Sequence, residues 1–140
     1  MTNRSIWNMI RKIPAYMPTA VVLVVILYLT LLPQPLGEED IHLFEGADKV
    51  VHFIMFGGLT GTFIFDRYRI SKSLKLKGAL FAAVCSTMLG VIIEILQDVM
   101  ALGRGGNDFW DAAANTLGAF CAVYICYRLH WINVIIDDRS

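Results

Sequence analysis

LFAAVCSTMLGVIIEILQ, residues 80–97, is an apolar run of helical length that keeps its one charge, Glu94, and its one amide, Gln97, at the same end. The hydrocarbon core of a bilayer is crossed by a helix of ~20 residues, with ~17–25 tolerated. The run therefore reads as a membrane-crossing helix, and a carboxylate at that depth is retained for a pathway, a partner or a reaction.

Working outward, three further apolar stretches can be marked in the 140 residues, giving predicted helices at about 16–32, 50–65, 80–96 and 109–131. The second is short for a span, and is kept because its neighbours leave no other way to complete the topology. The expected fold is an all-α, polytopic membrane bundle of four transmembrane helices, with residues 1–140 as a single membrane domain. Composition agrees: 56% hydrophobic, 17% charged and a mean hydropathy of +0.58 lie well off the ordinary soluble pattern. The net charge of zero gives no steering toward nucleic acid, and none is expected as a partner.

Charge position says more than charge sum. Arg4, Arg11, Lys12, Arg67, Arg69, Lys72, Lys75, Lys77, Arg128 and Arg139 fall on one side of such a bundle, with Arg67 to Lys77 read as the loop between helices two and three. Lys49 and Arg104 fall on the other, beside the acidic residues Glu38, Glu39, Asp40, Glu45, Asp98 and Asp108. Cytoplasmic loops carry the Lys/Arg excess, so both termini are expected in the cytoplasm, with the protein in the cell membrane and membrane lipids around it. The N-terminus imitates a signal peptide, yet the region after its apolar run, Leu31-Leu32-Pro33-Gln34-Pro35, lacks the small residues of a cleavage site. The cysteines Cys85, Cys121 and Cys126 lie in predicted spans without a CxxC, and neither a disulfide nor a cysteine metal site is expected. Gly57/Gly61 and Gly118/Ala122 have the small-xxx-small spacing of close helix contacts, and bundle packing is their reading.

The remaining polar residues converge. Asp48, Lys49 and His52 open helix two, Glu94 and Gln97 close helix three, and Asp108, Asp111 and Asn115 open helix four. In a hairpin-connected bundle these ends meet at one face. His52, Glu94 and Asp111 are the candidate catalytic groups; Arg104, Asp48, Lys49, Gln97, Asp108 and Asn115 are candidate substrate-binding groups. Arg104 sits in a glycine-rich turn, Gly103 to Asp108, and carries the fork that grips carboxylate or phosphate. Each has a plainer account: Asp108 caps helix four with Asp111 supporting its dipole, His52 is a hydrogen-bonded core histidine, and Glu94 with Arg104 is a structural ion pair. Convergence favours the site reading for His52, Glu94, Arg104 and Asp111.

The string Asp48-Lys49-Val50-Val51-His52-Phe53-Ile54-Met55-Phe56-Gly57-Gly58-Leu59 resembles the DKxxHxxxFxxL signature of VanZ-like membrane proteins. Glu94-Ile95-Leu96-Gln97 resembles that family's ExxQ, and Arg104 through Asp111, Asn115 and Gly118 its R…DxxxNxxG segment. The family's namesake is associated with resistance to the glycopeptide teicoplanin, so the resemblance implies a cell-envelope membrane protein with a role of that kind.

Three function classes fit these residues. In the first, an extracytoplasmic polar site binds or modifies an anionic lipid-linked, glycopeptide or other envelope molecule, with Arg104 holding the anion and His52 moving protons with Glu94 or Asp111. In the second, the protein is non-enzymatic and the cluster only stabilises the bundle. The third is a metal-dependent membrane hydrolase using His52, Asp48, Glu94 and Asp111. It ranks lowest because there is no HExxH and no second histidine at that level, His42 and His130 lying elsewhere. No cofactor fingerprint is present, and no cofactor or metal is expected. Enzymatic status, ligand, oligomeric state and metal binding by the polar cluster are not specified by these residues.

Overall fold

The computed structural model describes residues 8–10, 12–32, 46–72, 74–100 and 109–133. Within them run four main helices: α1 (Met17–Leu31), α2 (Ala47–Ser71), α3 (Leu76–Val99) and α4 (Phe109–Arg128). A two-residue strand β1 (Leu74–Lys75) pairs in parallel with β2 (Ile132–Asn133), placing Leu74 opposite Ile132. Arg104, Asp108 and His42, the acidic residues from Glu38 to Glu45, and Arg4, Arg11 and Arg139 lie outside the described residues.

The helices are long for a reason that hydropathy misses. The stretch expected at 50–65 is a helix from Ala47 to Ser71, so Arg67 and Arg69 stand on α2 rather than in a loop. Lys75 belongs to β1 and Lys77 to α3, which begins at Leu76 rather than near 80. Apolar windows end where charges begin. A helix ends only where its backbone loses partners, and α2 stops at Lys72, whose φ of 60° is left-handed. At the other end of the chain, α4 closes at Arg128 and the residues expected to prolong it turn into β2.

Two helices, α3 and α4, are long and apolar enough to cross a membrane. α1 is apolar but only 15 residues long, about 22 Å, and α2 has 25 residues with charges toward both ends. The packing is inverted relative to a water-soluble bundle. Along α3 the buried positions are Ala79, Ala83, Ser86, Gly90, Ile93 and Gln97, a stripe at spacings of three and four made largely of small and polar residues. Its outward face carries Phe81, Met88, Ile92, Ile95 and Val99. α4 repeats the pattern, burying Ala114, Asn115, Gly118, Ala119 and Ala122 while exposing Leu117, Tyr124 and Ile125. Small residues inside and large apolar ones outside is the arrangement that close helix packing in lipid demands.

α2 and α4 approach each other backbone to backbone. A Cβ on Gly118 would collide with the Phe53 carbonyl oxygen, and one on Gly57 would stand 3.0 Å from the Gly118 oxygen. Glycine at both positions lets the two backbones touch. Below this crossing, Ile64, Ala79, Ala83, Ala119, Val123 and Cys126 form one apolar cluster with Leu74 and Ile132 of the strand pair. Trp131 closes that end by stacking on Tyr68, with ring centres 5.8 Å apart. A second cluster, Ile26, Phe56, Leu59 and Ile93, joins α1 to α2 and α3.

α1 borrows both of its caps. Its N-terminus has no side-chain cap of its own. Asp66 of α2 supplies one, accepting from Thr19 N (3.2 Å) and Thr19 Oγ1 (2.6 Å). Asp66 is fully buried and pairs with Arg69 Nη2 at 2.8 Å. Arg69 also donates to the carbonyls of Ile10, Ile13 and Pro14, at 3.1, 2.6 and 3.0 Å. At the far end Gln97 Nε2 donates to the Thr30 carbonyl at 2.7 Å, one of the last-turn acceptors that a helix leaves unsatisfied.

Candidate functional site

Three helix ends converge at the end of the bundle opposite Asp66. His52 stands one to two turns into α2, Glu94 lies a little over one turn before the end of α3, and Asp111 is in the first turn of α4. One potential ligand atom from each lies within 4.8 Å of those of the other two. His52 Nδ1 is 3.7 Å from Glu94 Oε1 and 3.0 Å from Asn115 Oδ1. The side chains are 14%, 17% and 13% exposed for His52, Glu94 and Asp111, so the group is largely withdrawn from its surroundings but still reachable.

Local structure explains each placement. The i,i+4 spacing of Asp111 and Asn115 puts both on the face of α4 that meets α2. Asp111 also lies where the positive end of the α4 dipole favours a carboxylate. Asn115 is completely buried one turn deeper. It sits over Gly90 of α3, where an added Cβ would come within 2.5 Å of its Nδ2 and 3.2 Å of the Phe56 ring. The absence of a side chain at Gly90 thus makes room for the amide that holds His52. The imidazole in turn lies nearly parallel to the Phe56 ring, with centres 6.4 Å apart.

Lys49 brings the other acids into the network. Its Nζ lies 2.8 Å from Asp48 Oδ2 and 3.3 Å from Asp111 Oδ1. Asp48 is the outermost member, 54% exposed. Gln97 stands on the same helix as Glu94, but its amide is engaged with α1 through Thr30. Of the nine candidate residues, His52, Glu94, Asp111, Asn115, Lys49 and Asp48 are brought together, Gln97 borders them, and Arg104 and Asp108 lie outside the described residues.

The arrangement can hold and move a proton. With Nδ1 protonated, His52 donates to Asn115 Oδ1 and leaves Nε2 as a base, with a carboxylate beside the ring to balance an imidazolium. Sequence reasoning missed the second polar assembly, Asp66 with Arg69 and Thr19. The i,i+3 spacing of Asp66 and Arg69 just beyond an apolar run was the available signal.

The VanZ/LLP1 family model matches residues 2–132. No curated protein and no solved structure matches the chain.

Proposed function

The chain belongs to the VanZ/LLP1 family, and from that premise we propose that it is a cell-envelope membrane protein whose polar cluster binds or modifies an anionic lipid-linked or other envelope molecule. In this reading all four helices cross the membrane, both termini are cytoplasmic, and the His52 end of the bundle faces outward. The observation that carries it is the meeting of His52, Glu94 and Asp111 from three helices within 4.8 Å. Ionisable groups within spanning helices are rare and are normally kept for a pathway, a partner or a reaction, so three gathered together point to use. His52 is the proton carrier, Glu94 and Asp111 set its charge balance, and Arg104, just before α4 in sequence, grips the anion.

Glycopeptide resistance is the phenotype to measure. Expression of the chain in a teicoplanin-sensitive host should raise the inhibitory concentration, and His52→Ala should abolish the increase at unchanged membrane abundance. An undiminished increase with His52→Ala would remove the site from the phenotype. A second reading is favoured by the internal pairing of Lys49 with Asp111 and of His52 with Asn115: the cluster pins the helices together. It is distinguished by Arg104→Lys, which keeps a charge but loses the two-pronged grip, and so impairs the phenotype only if a ligand is held there.

A further inference from the structure

We propose that His52, Glu94 and Asp111 bind one divalent transition-metal ion, zinc or manganese. The donor set is mixed and comes from three helices: one imidazole and two carboxylates, with a ligand atom of each inside 4.8 Å. Ligands ~2.1 Å from a tetrahedral zinc stand about 3.4 Å from one another. His52 Nδ1 is 3.7 Å from Glu94 Oε1, so the imidazole already lies beside that carboxylate.

Two further features separate this group from a chance gathering of acids. A metal-bound histidine has its other ring nitrogen held by an acceptor, and here Nδ1 donates to Asn115 Oδ1, on a side chain that is 0% exposed, which leaves Nε2 as the atom for the ion. The Asp111 Oδ1 atom is buried and has no hydrogen-bond partner, leaving Lys49 at 3.3 Å as its polar neighbour among the described residues. Imidazole among the donors suits zinc and the two carboxylates also admit manganese, whereas calcium and magnesium take all-oxygen shells. Three protein ligands leave a coordination position for water or for an oxygen of an anionic ligand.

The inference uses the same site as the proposed function, and it is tested with the ion alone so that the two can fail separately. The full chain, purified in detergent without an affinity tag and stripped with chelator, is titrated with zinc and with manganese, and the bound metal is counted by mass spectrometry. One ion per chain is expected. His52→Ala and Asp111→Asn should each weaken binding at least tenfold, whereas His130→Ala, at the exposed histidine beyond α4, should leave it unchanged. Absence of stoichiometric binding, or equal binding in His52→Ala, overturns the proposal. If the variants do not fold, X-ray absorption on the zinc-loaded parent chain decides, since a shell with no imidazole or with more than one is incompatible with this site. A chain that confers glycopeptide resistance yet binds neither metal would sink the metal and leave the proposed function standing.

Discussion

At the scale of single residues, position along a helix made the polar cluster legible, while the space that accommodates it was hidden. His52, Glu94, Asp111 and Asn115 could be brought to one face from helical spacing and alternating helix direction alone. Gly90 could not be linked to them, because a glycine in an apolar run says nothing about whose side chain occupies the space it leaves. The structure makes that link specific, since a Cβ there would stand 2.5 Å from Asn115 Nδ2. Gly90→Ala should therefore displace the amide and release His52. The expected outcome is a destabilisation of about 1–3 kcal/mol from overpacking, with loss of any activity that depends on His52. Thermal unfolding in detergent, read beside the resistance phenotype, checks both; an unchanged melting temperature with full phenotype would show that the amide has room to spare. Asp66 was passed over, and Arg69 was read as part of a loop, for a different reason. Charges after an apolar stretch look like the start of a loop, yet here they satisfy each other and the backbone around them. Removing one partner of such a buried pair typically costs about 3–5 kcal/mol.

At the scale of elements, the existence of the main helices follows from apolar run length, and their ends do not. The ends depend on caps supplied from other helices and on the left-handed Lys72, neither of which leaves a periodic trace. The strand pair is beyond reach of any pattern, since two residues have no period. Helix crossings were legible where small residues recur. Gly57 and Gly118 were assigned to packing, and they do stand at a close backbone approach of α2 and α4. Gly118→Ala would drive a methyl group into the Phe53 carbonyl, pushing α2 and α4 apart. Because His52 lies one residue before Phe53, and Asn115 three before Gly118, the same displacement should open the His52–Asn115 hydrogen bond. A shift of the His52 imidazole signals, resolved by NMR on labelled protein in detergent, is the readout. Unaltered signals would show that the crossing absorbs a methyl group without spreading.

At the scale of the whole molecule, the two polar assemblies occupy opposite ends of the bundle, about 20 Å apart along α2 from His52 to Asp66. They are charged differently. The His52 end holds Asp48, Glu94 and Asp111 against Lys49, whereas the Asp66 end is surrounded by Lys12, Arg67, Lys72, Lys75, Lys77 and Arg128. This asymmetry supports the proposed orientation, with the basic end in the cytoplasm. Reporter fusions after Ser71 should behave as cytoplasmic and fusions within residues 37–46 as extracytoplasmic. The reverse pattern would put the His52 cluster in the other leaflet and end the proposal that it meets an outer envelope molecule.

The borrowed caps of α1 bear on the order in which the protein can be completed. Residues 17–31 leave the ribosome before Asp66 and well before Gln97, so α1 is synthesised long before both of its ends can be satisfied. Until then Thr19 N and the Thr30 carbonyl must be served by water or by temporary partners. Assembly of the N-terminal helix is thereby tied to arrival of the third, and a nascent chain truncated between them carries a helix with two unmet obligations. The same two side chains that position α1 thus act as a check that the chain has been made through α3.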